Sequence, residues 1–129
     1  MHDVDAITMF VTDTRVSKEF YERAFDVSPI FEDENSVAFA FGGLIVNLLA
    51  EREAHSLIAP ASVGARDAGS RFQLTIGVDD TNAACAMLAD RGVELVNGPI
   101  DRAWGLRTAC FADPDGHIWE FAAKIPDAG

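Results

Sequence analysis

The sequence predicts an α+β fold of two βαβββ modules, and three observations carry that prediction. First, Ile7–Thr14 aligns with Leu74–Thr81 at an offset of 67 residues, with Thr8/Thr75, Val11/Val78, Asp13/Asp80 and Thr14/Thr81 identical. An offset near half of the 129 residues describes two modules, because a solenoid stacks shorter units three times or more. Second, an amphipathic helical pattern follows each repeat. Third, three short apolar runs of strand character follow each helix.

The elements can be justified in order. The first strand alternates Ile7, Met9 and Val11 with Ala6, Thr8 and Phe10. Thr14–Phe25 then places Val16, Phe20, Ala24 and Phe25 at helical spacing, behind an Asp-Thr pair suited to accept the free N–H groups of a first turn. Strands are expected at Pro29–Glu32, Ser36–Phe41 and Leu44–Ala50, with turns at Asp33-Glu34-Asn35 and Gly42-Gly43. Glu51–Arg71, with Pro60, Gly64 and Gly69, reads as a linker. In the second half, Leu74, Ile76 and Val78 alternate with Gln73, Thr75 and Gly77. A helix Thr81–Arg91 carries Ala84, Met87 and Leu88 and ends before Gly92. Strands Glu94–Asn97, Arg107–Ala112 and His117–Ala122 follow, the last two joined by Asp113-Pro114-Asp115-Gly116. One domain over 1–129 is expected, with modules at 5–50 and 72–123 and the linker at 51–71.

Composition narrows the function classes. With 49% hydrophobic and 24% charged residues the chain is globular, and it has no apolar run long enough to cross a bilayer. Ten Lys+Arg against 21 Asp+Glu give a net charge of −11, which argues against nucleic acid and favours, at most, cationic small molecules. Met1-His2-Asp3-Val4-Asp5 lacks the basic start and apolar stretch of a signal peptide. Cys85 and Cys110 look like small buried hydrophobes, so a reducing cytoplasm is the expected compartment.

Alternation sorts the strands into a greasy face, packed beneath the helices, and a mixed face. The mixed face holds Thr8, Phe10, Asn47, Gln73, Thr75 and Glu120. Such a face is either a solvated surface or a concave ligand pocket. Alternation in the seventh strand is expected to set Arg107 on the Glu120 face, where it either neutralises that carboxylate or anchors an anionic ligand.

Two motifs carry a family resemblance. Ile7–Val27 runs from Phe10-Val11-Thr12-Asp13 into Ser17-Lys18-Glu19-Phe20-Tyr21-Glu22. Trp104-Gly105-Leu106-Arg107 is followed by Phe111-Ala112-Asp113-Pro114-Asp115-Gly116-His117-Ile118-Trp119-Glu120-Phe121. The chain thereby resembles the vicinal oxygen chelate superfamily of glyoxalases, bleomycin resistance proteins, extradiol dioxygenases and fosfomycin-resistance enzymes. The resemblance implies two βαβββ modules forming a curled mixed sheet around a cleft. It also implies a divalent metal held by one residue on the first and one on the fourth strand of each module.

Carried onto this sequence, those positions are Ala6, Asn47, Gln73 and Glu120. A methyl group, two carboxamides and one carboxylate make a degenerate site, since catalytic centres use imidazole, carboxylate or thiolate donors. His2, His55 and His117 lie in the N-terminal stretch, in the linker and at the start of the last strand, and do not rescue it.

The resemblance then implies a metal-independent small-molecule binding protein of the antibiotic-sequestering, bleomycin-resistance type, without a cofactor. The alternative is a glyoxalase-like lyase or isomerase, or a dioxygenase, with a weakly bound divalent metal or with Glu120 as general base. The ligand is expected to be planar or aromatic, stacking on Trp104 at the rim and on Phe39 or Phe41. Trp104 and Glu120 are expected to share one site, and a homodimer is expected, since open four-stranded modules leave edges to cover.

Overall fold

The computed structural model describes residues 2–126; the outermost positions of the domain expected over 1–129 lie outside the described residues. The chain packs as two compact units, Met1–Ala68 and Gly69–Gly129, divided inside the stretch 51–71. Each unit is a βαβββ module with an open four-stranded mixed sheet, so the fold is α+β.

In the first unit, β1 (Ala6–Val11) is followed by α1 (Thr14–Phe25), β2 (Phe31–Glu32), β3 (Ser36–Phe41) and β4 (Leu44–Ala50). The sheet order is β1-β4-β3-β2, with β1 and β4 parallel and the hairpin pairs antiparallel. Asp13 caps α1, its carboxylate accepting from the N–H groups of Arg15 and Val16, and Asp26 ends the helix in the left-handed region at φ 53°. The buried face of α1 is Ser17, Phe20, Tyr21 and Ala24, while Val16, expected inside, is exposed. The face turns on Tyr21, which stacks on Phe39 at 5.8 Å between centroids and donates its hydroxyl to Met9 Sδ at 3.7 Å. Met9, Val11, Phe39, Val46 and Leu48 complete this core. After β4 a 3-10 turn (Glu51–Glu53) and a short helix α2 (His55–Ile58) occupy part of the expected linker, with Ala54 buried between them.

In the second unit, β5 (Gln73–Gly77), α3 (Thr81–Asp90), β6 (Asn97–Asp101), β7 (Leu106–Ala112) and β8 (Ile118–Lys124) form a sheet in the order β5-β8-β7-β6. Asp80 caps α3 through the Ala83 N–H, and Gly92 follows the helix at φ 75°. Phe111, Trp119, Phe121, Leu88 and Ala109 are buried on the helix side, with the Phe111 and Phe121 rings 5.2 Å apart. Met87, expected inside, is exposed, and Cys85 takes the buried position. Both Cys85 and Cys110 are buried and unbridged. No helix among the described residues is long and apolar enough to cross a membrane.

Four strands differ from expectation in their bounds: β2 begins at Phe31 and not Pro29, β7 begins one residue earlier at Leu106, β8 starts later and runs to Lys124, and β6 is displaced. β6 covers Asn97–Asp101 and not Glu94–Asn97, because Gly98-Pro99 forms a bulge between Asn97 and Ile100 on an edge strand. Gly98 sits at φ 98° with β7 against it: a Cβ there would lie 2.6 Å from Ala109 Cα and from the Thr108 carbonyl oxygen. β8 begins at Ile118 because His117 belongs to the turn. Its N–H donates to Asp113 Oδ1 at 2.9 Å, and its carbonyl accepts the Asp113 N–H at 2.9 Å.

Candidate functional site

The repeat in the sequence becomes a repeat in register. Across the first sheet, Thr8, Asn47, Ala38 and Phe31 stand side by side on the face away from α1. Across the second, the equivalent row is Thr75, Glu120, Cys110 and Asn97. Neighbouring strands lie about 4.8 Å apart, so side chains within a row can touch. Thr75 and Glu120 do: the threonine hydroxyl donates to Glu120 Oε1 at 3.0 Å. Glu120 is half-buried, and Thr75 and Gln73 are exposed.

In the first unit the outer face brings together Ala6, Thr8, Phe10 and Asn47, as alternation requires. Phe39 and Phe41 do not join it. They pair with Val46 and Leu44 and point the other way; Phe39 is 0% exposed against Tyr21, and Phe41 packs edge-on to Phe25 at 5.1 Å. The expectation that either stacks on a ligand is thereby corrected. The exposed aromatic on this outer face is Phe31, 55% exposed, which sequence reasoning missed. It stands opposite Ala38, three strands from Thr8 in the same row.

In the second unit the expected position of Arg107 is also corrected. The five-residue turn 113–117 sets Ala112 opposite Ile118, hence Cys110 opposite Glu120 and Arg107 opposite Ala123. A register shifted by one residue moves a side chain to the other face. Arg107 therefore lies on the helix side and forms a two-pronged pair with Asp101, Nε to Oδ1 at 2.7 Å and Nη2 to Oδ2 at 3.3 Å. The hydrogen bond from Arg107 holds the Asp101 carboxyl below its ordinary pKa and raises that of the guanidinium. Arg107 neither neutralises Glu120 nor shares its face.

Trp104 stands on the turn before β7 and is 70% exposed. Leu106 is opposite Lys124, four residues and about 13 Å along the strand beyond Glu120, and Trp104 stands on the turn that precedes Leu106. Between them the outer face carries Ala122 and Thr108, and a residue sequence reasoning missed: Arg102, whose Nε donates to Thr108 Oγ1 at 2.9 Å. Arg102 directly follows β6, two residues after Ile100, and a correctly placed β6 would have supplied that signal.

The positions where the family resemblance implies a metal do not fit one. Ala6 has no donor atom, Asn47 and Gln73 offer neutral carboxamides, and Glu120 alone brings charge. Among the described residues no three His, Cys, Asp or Glu side chains are grouped to hold a metal ion. His117 is engaged elsewhere, its Nδ1 2.7 Å from Asp113 Oδ2. Burial of the imidazole opposes its charge, but the Asp113 hydrogen bond and the charges of Asp113 and Asp115 outweigh it and raise the His117 pKa above 6.5.

The comparisons with known proteins agree with this architecture. A family model described as Glyoxalase/Bleomycin resistance protein/Dioxygenase superfamily matches residues 3–121. The uncharacterized protein YraH of Bacillus subtilis is 30% identical over 119 residues, covering 88% of this chain and 92% of that one. Among solved structures, a glyoxalase/bleomycin resistance protein/dioxygenase from Nocardioides superposes with TM-score 0.86 at 20% identity, covering 100% of this chain and 87% of that chain. A glyoxalase-related enzyme from Fulvimarina pelagi gives 0.82 at 22% identity, covering 96% and 89%. Lactoylglutathione lyase from Agrobacterium tumefaciens gives 0.75 at 15% identity, covering 94% and 92%; likenesses at these identities speak for the fold alone. The chain belongs to the glyoxalase/bleomycin resistance protein/dioxygenase superfamily.

Proposed function

We propose that this protein binds an elongated, planar small molecule without a metal, in the manner of the superfamily's antibiotic-sequestering members. The observation that carries the reading is the donor set: a methyl group, two carboxamides and one carboxylate stand where the family resemblance implies metal ligands. The outer sheet faces keep what a binding surface needs, a few polar groups among small and aromatic side chains. Glu120 and Thr75 supply a hydrogen-bonding end in the second unit, and the exposed indole of Trp104, on the turn at the far end of β8, supplies a stacking surface. The protein works as a homodimer in this reading, because each open sheet ends in edge strands that association would cover.

The test is an amide-correlation NMR titration with a panel of planar aromatic amphiphiles, followed by mass spectrometry of the recovered ligand. Shifts at Thr75, Glu120 and Trp104 with the ligand returned unchanged support binding. Trp104→Ala should weaken that binding by about 1–3 kcal/mol. The competing reading is an enzyme whose general base is the Glu120 carboxylate, oriented by Thr75. Conversion of the ligand to product that stops in Glu120→Gln would favour it.

A further inference from the structure

Two opposite charges stand on the outer face of the second unit, neither matched by a partner of opposite sign. Glu120 accepts from the neutral Thr75 hydroxyl, and Arg102 donates to the neutral Thr108 hydroxyl. Among the described residues neither has an ion-pair partner. That is a notable state for an arginine in a chain with 21 acidic residues. The neighbouring Arg107, on the helix side of the same sheet, takes Asp101 in a two-pronged pair. Arg102 uses Nε on Thr108, which leaves the donors of its two terminal nitrogens for another acceptor.

The spacing of the two charges follows from register. Thr108 is opposite Ala122, and Ala122 is two residues from Glu120 on the same face, so Thr108, which anchors the guanidinium, and Glu120 are diagonal neighbours about 7–8 Å apart. The carboxylate turns from there toward Thr75 on β5, and Arg102 reaches Thr108 from the β6 side, so the two charges stand wider apart than their anchors. The side chains around this gap are small: Ala122 and Cys110, with Gly77 opposite Ala122. Trp104 belongs to the same turn as Arg102, whose carbonyl accepts the Gly105 N–H at 3.1 Å.

We propose that the ligand is bipolar: an extended zwitterion with an ammonium on Glu120, a carboxylate on Arg102 and an aromatic or otherwise planar body between them. The proposal rests on the reading of this face as a binding surface and names the ligand class it takes. An ω-amino acid or a dipeptide-like compound spans the gap. Charge-assisted hydrogen bonds at both ends give selectivity that a single charge could not.

Calorimetric titration with 4-(aminomethyl)benzoate tests this, a rigid zwitterion with its ammonium and its carboxylate at opposite ends of an aromatic ring. Its methyl ester lacks the anion, and 4-methylbenzoate lacks the cation. The zwitterion should bind about tenfold more tightly than either. Arg102→Gln should abolish its advantage over the methyl ester, and Glu120→Gln its advantage over 4-methylbenzoate, with unfolding midpoints of both variants near wild type. Equal binding of the three compounds, no binding of any, or advantages unchanged in the variants would overturn the bipolar assignment. Neutral methyl 4-methylbenzoate, followed by NMR, separates the two readings. Shifts on the outer face without charge preference sink only the bipolar ligand, whereas shifts confined to other residues sink the binding surface as well.

Discussion

Thr75 and Glu120 stand opposite each other on the parallel strands β5 and β8, and the threonine hydroxyl donates to the carboxylate at 3.0 Å. The same register places Thr8 opposite Asn47 in the first unit. The two modules thus preserve a threonine beside the fourth-strand position while the residue there changes from amide to carboxylate. Replacing Thr75 by Val keeps the strand shape and removes the donor. Because the residue is exposed, the unfolding free energy should change by no more than about 0.5 kcal/mol. Ligand affinity should fall by about 1 kcal/mol, read by calorimetry, as Glu120 loses the group that orients it.

Gly98 is a second sharp test, of the fold and not of the site. Its φ of 98° and the 2.6 Å approach of the β7 backbone leave no room for a side chain. Gly98→Ala should cost about 2–4 kcal/mol in urea unfolding, since left-handed strain and overpacking against backbone act together. Gly105, also at positive φ but with open space around its Cβ position, should tolerate alanine at the cost of backbone strain alone, about 1–2 kcal/mol.

The His117–Asp113 pair makes stability depend on pH with a defined sign. The folded-state pKa of His117 is raised, so its contribution is complete below the unfolded value near 6.5 and is lost as pH rises through the folded value. Wild type should therefore lose stability relative to His117→Gln as pH rises from below about 6.5 through the raised folded-state pKa, measured by urea midpoints. A pH-independent difference between the two proteins would show that the His117 pKa is the same folded and unfolded, and a stability that rises over this range would show that the imidazole stays neutral in the fold.

Much of this was legible before any coordinates. The repeat, the helix caps at Asp13 and Asp80 and the alternation of β1, β5 and β8 follow from local chemistry, and the structure has them. What was not legible depends on partners distant in sequence. The register of β7 on β8 is decided by the side chain of Asp113, whose carboxylate holds the Asp115 and His117 N–H groups; one residue of slip misplaced Arg107. The strand expected at Glu94–Asn97 stops short of Gly98-Pro99, because only β7 is there to pair around the bulge that these two residues form. Arg102 was missed for that reason, because its face is defined only once β6 is placed. Tyr21 lies inside and Val16 outside because Met9 and Phe39 wait beneath Tyr21.

Phe39 shows how such a correction can be checked. It is fully buried against Tyr21, so Phe39→Ala should destabilise by about 3–5 kcal/mol. Ligand affinity of the folded fraction should stay within about twofold of wild type, because the ring lies on the side of the sheet away from Thr8 and Asn47.

The central claim is that binding at Glu120 needs no metal, and one titration addresses it directly. The tightest binder from the aromatic panel is titrated into chelator-stripped protein, then into protein supplied in turn with nickel, zinc, manganese and iron. Predicted are dissociation constants within about twofold of one another and metal content far below one ion per chain. Binding or turnover that appears only with one metal ion per chain, and is lost together with that ion in Glu120→Ala, would contradict the account.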